Sequence, residues 1–179
     1  YVVSADGLEV QPTKVASILS WEFPRTLTQL RCVYGIFQFY RSFMPNFASV
    51  AEPLVEMLRK GVSIECTPRR LQAFNDLRTL LTTPPVLGLP RDEGQYVLDC
   101  DASLVGAGAV LQQNQDGVLR VIEYASRTFN KAERSYCVTR REMASVVFGL
   151  RKFKNYLYGR KFVVRVDHMA LTYYRKSRD

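Results

Sequence analysis

The spacing of the apolar residues changes once along this chain, and that change constrains the fold more than any other feature. Up to the break at Thr82-Thr-Pro-Pro-Val86 they recur about every 3.6 residues, and beyond it they alternate about every 2. Helices first and mostly strands afterwards predict a helical subdomain over 1–85 followed by an α/β (α+β) sheet domain over 86–179. After a short extended start, Thr13 to Trp21 carries Val15, Ile18 and Leu19 at helical spacing, and Pro24 stops it. Thr26 and Gln29 form a capping-box pattern ahead of a stripe of Leu30, Val33, Tyr34, Phe37, Tyr40 and Phe43. A third helix is expected from Ser49 to Lys60, closed by Gly61. The fourth has Thr67 as cap and Pro68 at its first position, and should bury Leu71, Phe74, Leu77 and Leu81.

In the second part, Gln95–Ala102, Gly106–Gln113 and Val118–Tyr124 read as strands, the last two joined by a hairpin turn at Asn114-Gln-Asp-Gly117. A long amphipathic helix should run from Thr139 to about Tyr158, with Met143, Val146, Val147, Leu150, Phe153 and Leu157 facing the core. Phe162–Val166 is a fourth strand, with a further segment from Leu171.

The charge is lopsided. Lys and Arg number 25 against 17 Asp and Glu, a net +8, and residues 127–179 alone hold 14 basic against 4 acidic residues. Such a surface favours a polyanion as partner. Cys32, Cys66, Cys100 and Cys137 make no C-x-x-C pair and there is a single His, so a zinc site is excluded and the thiols read as reduced and intracellular. The polyanion that charge alone favours is nucleic acid or an anionic membrane; no apolar run reaches the roughly 18 residues of a bilayer span, and the partner expected is nucleic acid, with no membrane. The chain opens on Tyr1 without a basic-then-apolar leader, which reads as a piece of a longer protein that is not secreted.

Three carboxylates stand where they could converge: Asp101 at the end of the first strand, Glu142 in the first turn of the long helix, and Asp167 at the end of the fourth strand. If those two strands run parallel and adjacent with the helix as crossover, both aspartates share the carboxyl end of the sheet, where ligands of open α/β sheets bind. Gathered carboxylates repel one another unless hard cations sit between them. Oxygen-only ligation without Cys or His suits Mg2+, and two such ions suit in-line phosphodiester hydrolysis. Each residue also has a plain structural reading. Asp101 and Asp167 could simply end strands, and Glu142 could close a capping box on Thr139. Asp99 shares the face of Asp101 as a supporting group or a decoy, and His168 reads as a buried or capping residue.

The run Leu98-Asp-Cys-Asp101-Ala-Ser-Leu-Val-Gly106-Ala-Gly-Ala-Val-Leu-Gln112 closely resembles the opening of the ribonuclease H domain in Gypsy-like LTR retrotransposon Pol polyproteins. The resemblance continues through Glu123-Tyr-Ala-Ser-Arg127, Glu133-Arg-Ser-Tyr136, Thr139-Arg-Arg-Glu142, Tyr156-Leu-Tyr-Gly159 and Val166-Asp-His168. Upstream, Tyr1 to Gly7 is similar to the end of a reverse transcriptase palm, and Leu30 to Phe47 with Ala51-Glu-Pro-Leu54 to the thumb and connection. It implies a helical thumb and connection followed by a mixed five-stranded sheet with helices, and Asp101, Glu142 and Asp167 as catalytic metal ligands for two Mg2+ ions, with Mn2+ as the alternative. It further implies cleavage of the RNA strand of an RNA–DNA hybrid, the rest of the Pol polyprotein as a partner, and a cytoplasmic virus-like particle as the location. Polymerase aspartates would lie upstream of Tyr1, and a fourth metal-binding aspartate, the last strand and the final helix beyond Asp179. Arg140, Arg141, Lys152 and Lys154 are the candidates for phosphate contact. The alternative is a non-catalytic nucleic-acid-binding remnant of the same polyprotein. The chain departs from the family at Cys66, where Trp is usual, at Tyr34-Gly-Ile36, and at Arg69 and Arg70, which oppose the dipole of the fourth helix.

Overall fold

A computed structural model describes residues 2–4, 7–11, 18, 20–83 and 85–167 of the chain. Strands β1 (Val2–Ser4) and β2 (Gly7–Glu9) pair antiparallel as a small hairpin, and Leu8 pairs with Leu87 across the molecule. Most of the helix expected over Thr13–Trp21 lies outside the described residues, although Ile18 is buried.

Helix α1 (Leu27–Phe39) opens on the expected capping box: the Thr26 hydroxyl accepts from the Gln29 amide, and the Gln29 side chain accepts from the Thr26 amide. A 3-10 turn follows at Arg41–Phe43. Helix α2 spans Phe47–Met57, so it starts and stops earlier than the spacing suggested and leaves Arg59 and Lys60 beyond its end. Helix α3 (Pro68–Thr82) starts on the Thr67 cap with Pro68 in its first turn. Phe74, Leu77 and Leu81 are buried there, but Leu71 is 39% exposed, and Ala73 takes the core-facing place instead. Arg69 and Arg70 escape the expected dipole penalty through partners. Arg69 contacts Glu52 and Glu56, each at 3.3 Å, and Arg70 donates to the carbonyls of Ser63 and Glu65. Phe37 and Phe74 meet edge to face at the centre of this first core, with Trp21 and Phe23 against them.

Beyond the break, β3 (Tyr96–Ala102), β4 (Gly106–Gln115), β5 (Val118–Thr128) and β6 (Phe162–Val166) form one sheet in the order β5-β4-β3-β6. The first three are antiparallel neighbours, and β6 lies parallel to β3, as the crossover reading required. Asp116 and Gly117 turn the β4–β5 hairpin, both with positive φ, the conformation that two-residue hairpin loops demand. Four strands of the five implied by the family fall within the described residues.

The long crossover helix is broken in two. Helix α5 covers Val138–Lys152, and α6 is a single turn at Lys154–Leu157. Phe153 and Leu157, one helical turn apart, are both buried in the second core despite the break. The face of α5 that meets the sheet is also shifted. Glu142, Ser145 and Gly149 are buried, whereas Val147, expected in the core, is 39% exposed. Gly149 explains the shift: a β-carbon there would sit 3.1–3.3 Å from Cys100 Sγ, Ala109 Cβ and Leu98 Cδ1, so the helix lies close against β3 and β4. The helical part covers the opposite face of the hairpin, where the Ala48 amide donates to Ser126 Oγ at 2.9 Å and α2 packs on β5.

Close approach also governs Gly106, where an added β-carbon would fall 2.6 Å from the Arg127 carbonyl oxygen of the paired strand. Gly106→Ala should therefore cost about 1–3 kcal/mol, by analogy with overpacked cores. Urea unfolding measures it, and an unchanged midpoint would contradict this packing.

A short helix that spacing did not reveal, α4 (Lys131–Arg134), carries its own capping box between Asn130 and Glu133. The Glu133 carboxylate also grips the Arg127 guanidinium through two 2.8 Å hydrogen bonds. Arg127 lies over the rings of Phe129 and Phe148, so one side chain ties β5, α4 and α5 together. Hydrogen bonds from Arg127 and the Asn130 amide hold the Glu133 carboxyl down at about 2, against an ordinary value of 4.5. A carboxyl depressed in the folded state contributes stability above its unfolded value and loses it as the pH falls. Thermal stability should thus decline between about pH 4.5 and about pH 2, and Glu133→Gln should flatten that limb of the melting profile.

Candidate metal centre

The parallel pairing of β3 and β6 carries Asp101 and Asp167 to the same end of the sheet, Asp101 at the penultimate position of β3 and Asp167 directly after β6. Glu142 comes to them from α5. That helix is capped at Cys137, whose carbonyl accepts from the Arg141 amide, and not at Thr139. Thr139 thus lies inside the first turn rather than ahead of it, and Glu142, the fifth residue of the helix, faces the strands.

Each of the three carboxylates offers an oxygen within 4.8 Å of the others, with Glu142 buried and the two aspartates exposed. Two oxygens each about 2.1 Å from one Mg2+ stand no more than roughly 4.2 Å apart. The observed spread therefore fits a shared hard cation after small side-chain movements, and a pair of cations more easily still. The donor set is all oxygen. Cys100 lies on the other face of β3, where burial, with help from Asp99 and Glu142, pushes its thiol up to about 12, so it is a neutral packing group against Gly149.

Asp99 shares the Asp101 face but does not join the cluster. Arg165 holds it through two short hydrogen bonds, 2.5 and 2.6 Å, and Gln112 donates to it as well. Its register partner on β6 is Arg165 itself, so the pair braces the two parallel strands whose ends carry the aspartates. His168 lies outside the described residues.

The four basic candidates do not make one stripe. Arg141, next to Glu142 in sequence, donates to the Ser103 carbonyl at 3.5 Å. Arg140, the preceding residue, is exposed and lines a groove of about 880 Å3 together with Met143, Ala144, Val147 and Phe148. Lys152 pairs with Glu123 at 2.6 Å, so its charge is already engaged. Lys154 is exposed in the single turn of α6. Arg151, which spacing did not single out, is exposed in the groove that Arg140 lines.

A family described as the RNase H-like domain found in reverse transcriptase matches residues 66–164, more than half of the chain. The chain belongs to this family. Its relatives among curated proteins are polyproteins of transposons. The retrovirus-related Pol polyprotein from transposon 297 of Drosophila melanogaster is 35% identical over 96% of this chain and 16% of its own length. That from transposon gypsy of the same fly is 33% identical over 97% and 18%. The transposon Tf2-3 polyprotein of Schizosaccharomyces pombe is 30% identical over 96% and 13%. The RNase H-like chain thus spans between about an eighth and about a sixth of the length of these polyproteins. Among solved structures, the foamy viral protease-reverse transcriptase in complex with RNA/DNA hybrid superposes with a TM-score of 0.79 at 21% identity, covering 98% of this chain and 24% of that one. A second foamy viral structure, in complex with double-stranded DNA, gives 0.80 at 21%, covering 98% and 31%. These likenesses establish the fold of the RNase H-like chain from the helical part to the sheet. Among the described residues no helix is long and apolar enough to cross a membrane, and the four cysteines are free.

Proposed function

We propose that this chain is the thumb, connection and ribonuclease H portion of a retrotransposon Pol polyprotein, and that it hydrolyses the RNA strand of RNA–DNA hybrids. The observation that carries the reading is the convergence of Asp101, Glu142 and Asp167 from two strands and a helix onto one sheet edge. In this reading residues 1–85 form the helical unit and 86–179 the nuclease unit, with the rest of the polyprotein as its partner and a cytoplasmic virus-like particle as its setting.

Asp101, Glu142 and Asp167 would hold two Mg2+ ions, or Mn2+ in their place. Bound there, such ions activate the attacking water and stabilise the leaving oxygen of an in-line displacement. The chain's own contribution is rigidity. Asp101 and Asp167 ride on strands locked together by the Asp99–Arg165 pair, and burial of Glu142 against the sheet fixes its approach. Gathering three anions without cations is unfavourable, so the folded scaffold creates the demand for metal that the chemistry uses. Arg140, Arg141 and Arg151 bring positive charge to the helix bearing Glu142, where phosphate contact would be blind to sequence. Lys154 would extend that surface, while Lys152 is engaged with Glu123.

A fluorescent RNA–DNA hybrid incubated with the full chain and Mg2+ tests the reading. Cleavage confined to the RNA strand and abolished by a chelator is expected. Salt-sensitive binding of the hybrid without any cleavage would favour the binding-remnant alternative instead.

A further inference from the structure

Asn46 occupies the N-cap position of α2 in the left-handed region, at φ 51 and ψ 26, yet its side chain makes no capping hydrogen bond. Asn is tolerated in that conformation, and at an N-cap its usual work is to accept from the helix amides. Here the carboxamide points elsewhere. Its Oδ1 lies 2.7 Å from where a β-carbon on Gly108 would stand. Gly108 is the direct register partner of Asp101, so the two share the sheet face that α5 leaves uncovered. Directly paired positions have β-carbons about 4.5–5.5 Å apart. The Asn46 carboxamide is therefore no more than roughly 8 Å from the β-carbon of Asp101.

This placement is fixed from several sides. The Ala48 amide donates to Ser126 Oγ at 2.9 Å, Ser126 pairs with Gly108, and Ser49 Oγ meets Ser103 Oγ at 3.4 Å. Among the described residues the exposed Asn46 carboxamide has no hydrogen-bond partner of its own. A neutral amide also suits the spot, because a cation there would pair with the carboxylates and be lost to any ligand.

Building on the hybrid-cleaving function proposed above, we infer that Asn46 is a substrate-contacting residue supplied by the helical unit, and that its carboxamide reads a 2′-hydroxyl of the RNA strand beside Asp101. A 2′-hydroxyl both donates and accepts, as a carboxamide does, and it is the group that distinguishes RNA from DNA. Gly108 then matters because it leaves room for the amide.

The test compares the full chain with Asn46→Gly, which keeps the left-handed backbone and removes the amide. Equilibrium binding of a labelled RNA–DNA hybrid and of the same-sequence DNA duplex is measured with Ca2+ in place of Mg2+, alongside thermal melting. Wild type should prefer the hybrid, and Asn46→Gly should lose about five- to tenfold of hybrid affinity, the worth of one hydrogen bond, with duplex DNA binding and melting temperature unchanged. Equal affinities of the variant and wild type for the hybrid, equal losses on both duplexes, or a wild type indifferent to the 2′-hydroxyl would each overturn the inference. Failure of the wild type to cleave with Mg2+, with the Asn46-dependent hybrid preference intact, would overturn the nuclease reading alone.

Discussion

Asp101→Asn is expected to lower Mg2+-dependent hybrid cleavage by at least about a hundredfold while leaving the melting temperature of the metal-free chain unchanged or higher. Loss of a group that merely supports a metal ligand typically costs 10–100-fold, so loss of a proposed ligand should exceed that range. Stability should respond in the opposite sense because, without ions, Asp101 is one of three carboxylates crowded within 4.8 Å, and a neutral amide of the same shape relieves repulsion. Asp101 is exposed, so the substitution leaves no buried polar group stranded. Cleavage rate and melting temperature falling together would point to a structural role for Asp101. A full rate would remove Asp101 from the chemistry.

Glu52 should produce the largest effect on stability. It is 6% exposed, and one oxygen meets Arg134 of α4 at 2.7 Å while the other meets Arg69 of α3 at 3.3 Å. A buried carboxylate therefore joins the helical unit to the sheet unit. Removing both arginines, as Arg69→Met with Arg134→Met, strands an uncompensated buried charge and should destabilise by about 3–5 kcal/mol. Glu52→Gln should cost less, because both arginine side chains are exposed enough to turn towards water. Adding Glu52→Gln to the double variant should then recover much of the loss. Urea unfolding of the four proteins closes the cycle, and additive effects would show that the three side chains do not act as a unit.

The elements were legible where local chemistry sets them. The Thr26–Gln29 box, the Thr67-Pro68 start and the Asp116-Gly117 turn are specified by neighbours a few residues apart. The parallel β3–β6 pair followed from one crossover helix between two strands, and with it the shared edge of Asp101 and Asp167. Tertiary packing overrode the pattern elsewhere. The amphipathic reading of α5 holds for Val146 and Leu150, which pack on the second core, but the close approach at Gly149 turned Ser145 and Glu142 inward as well and left Val147 exposed. Lys152 looked free in the charge count because its partner Glu123 is distant in sequence. Glu52 acts across long separations and Asn46 through a residue's direction, neither of which spacing encodes. The Asn130–Glu133 cap is a local signal, but it opens a helix of only four residues, too short to show apolar periodicity.

Binding of a divalent ion to the three carboxylates is the step on which the proposed chemistry rests. Calorimetric titration of the full chain with Mn2+, repeated on the Asp101→Asn, Glu142→Gln, Asp167→Asn triple variant, tests it most directly. The wild type should bind with saturable heat that Mg2+ competes away, and the triple variant, still folded by circular dichroism, should show none. Undiminished binding by the triple variant would contradict a metal centre at Asp101, Glu142 and Asp167.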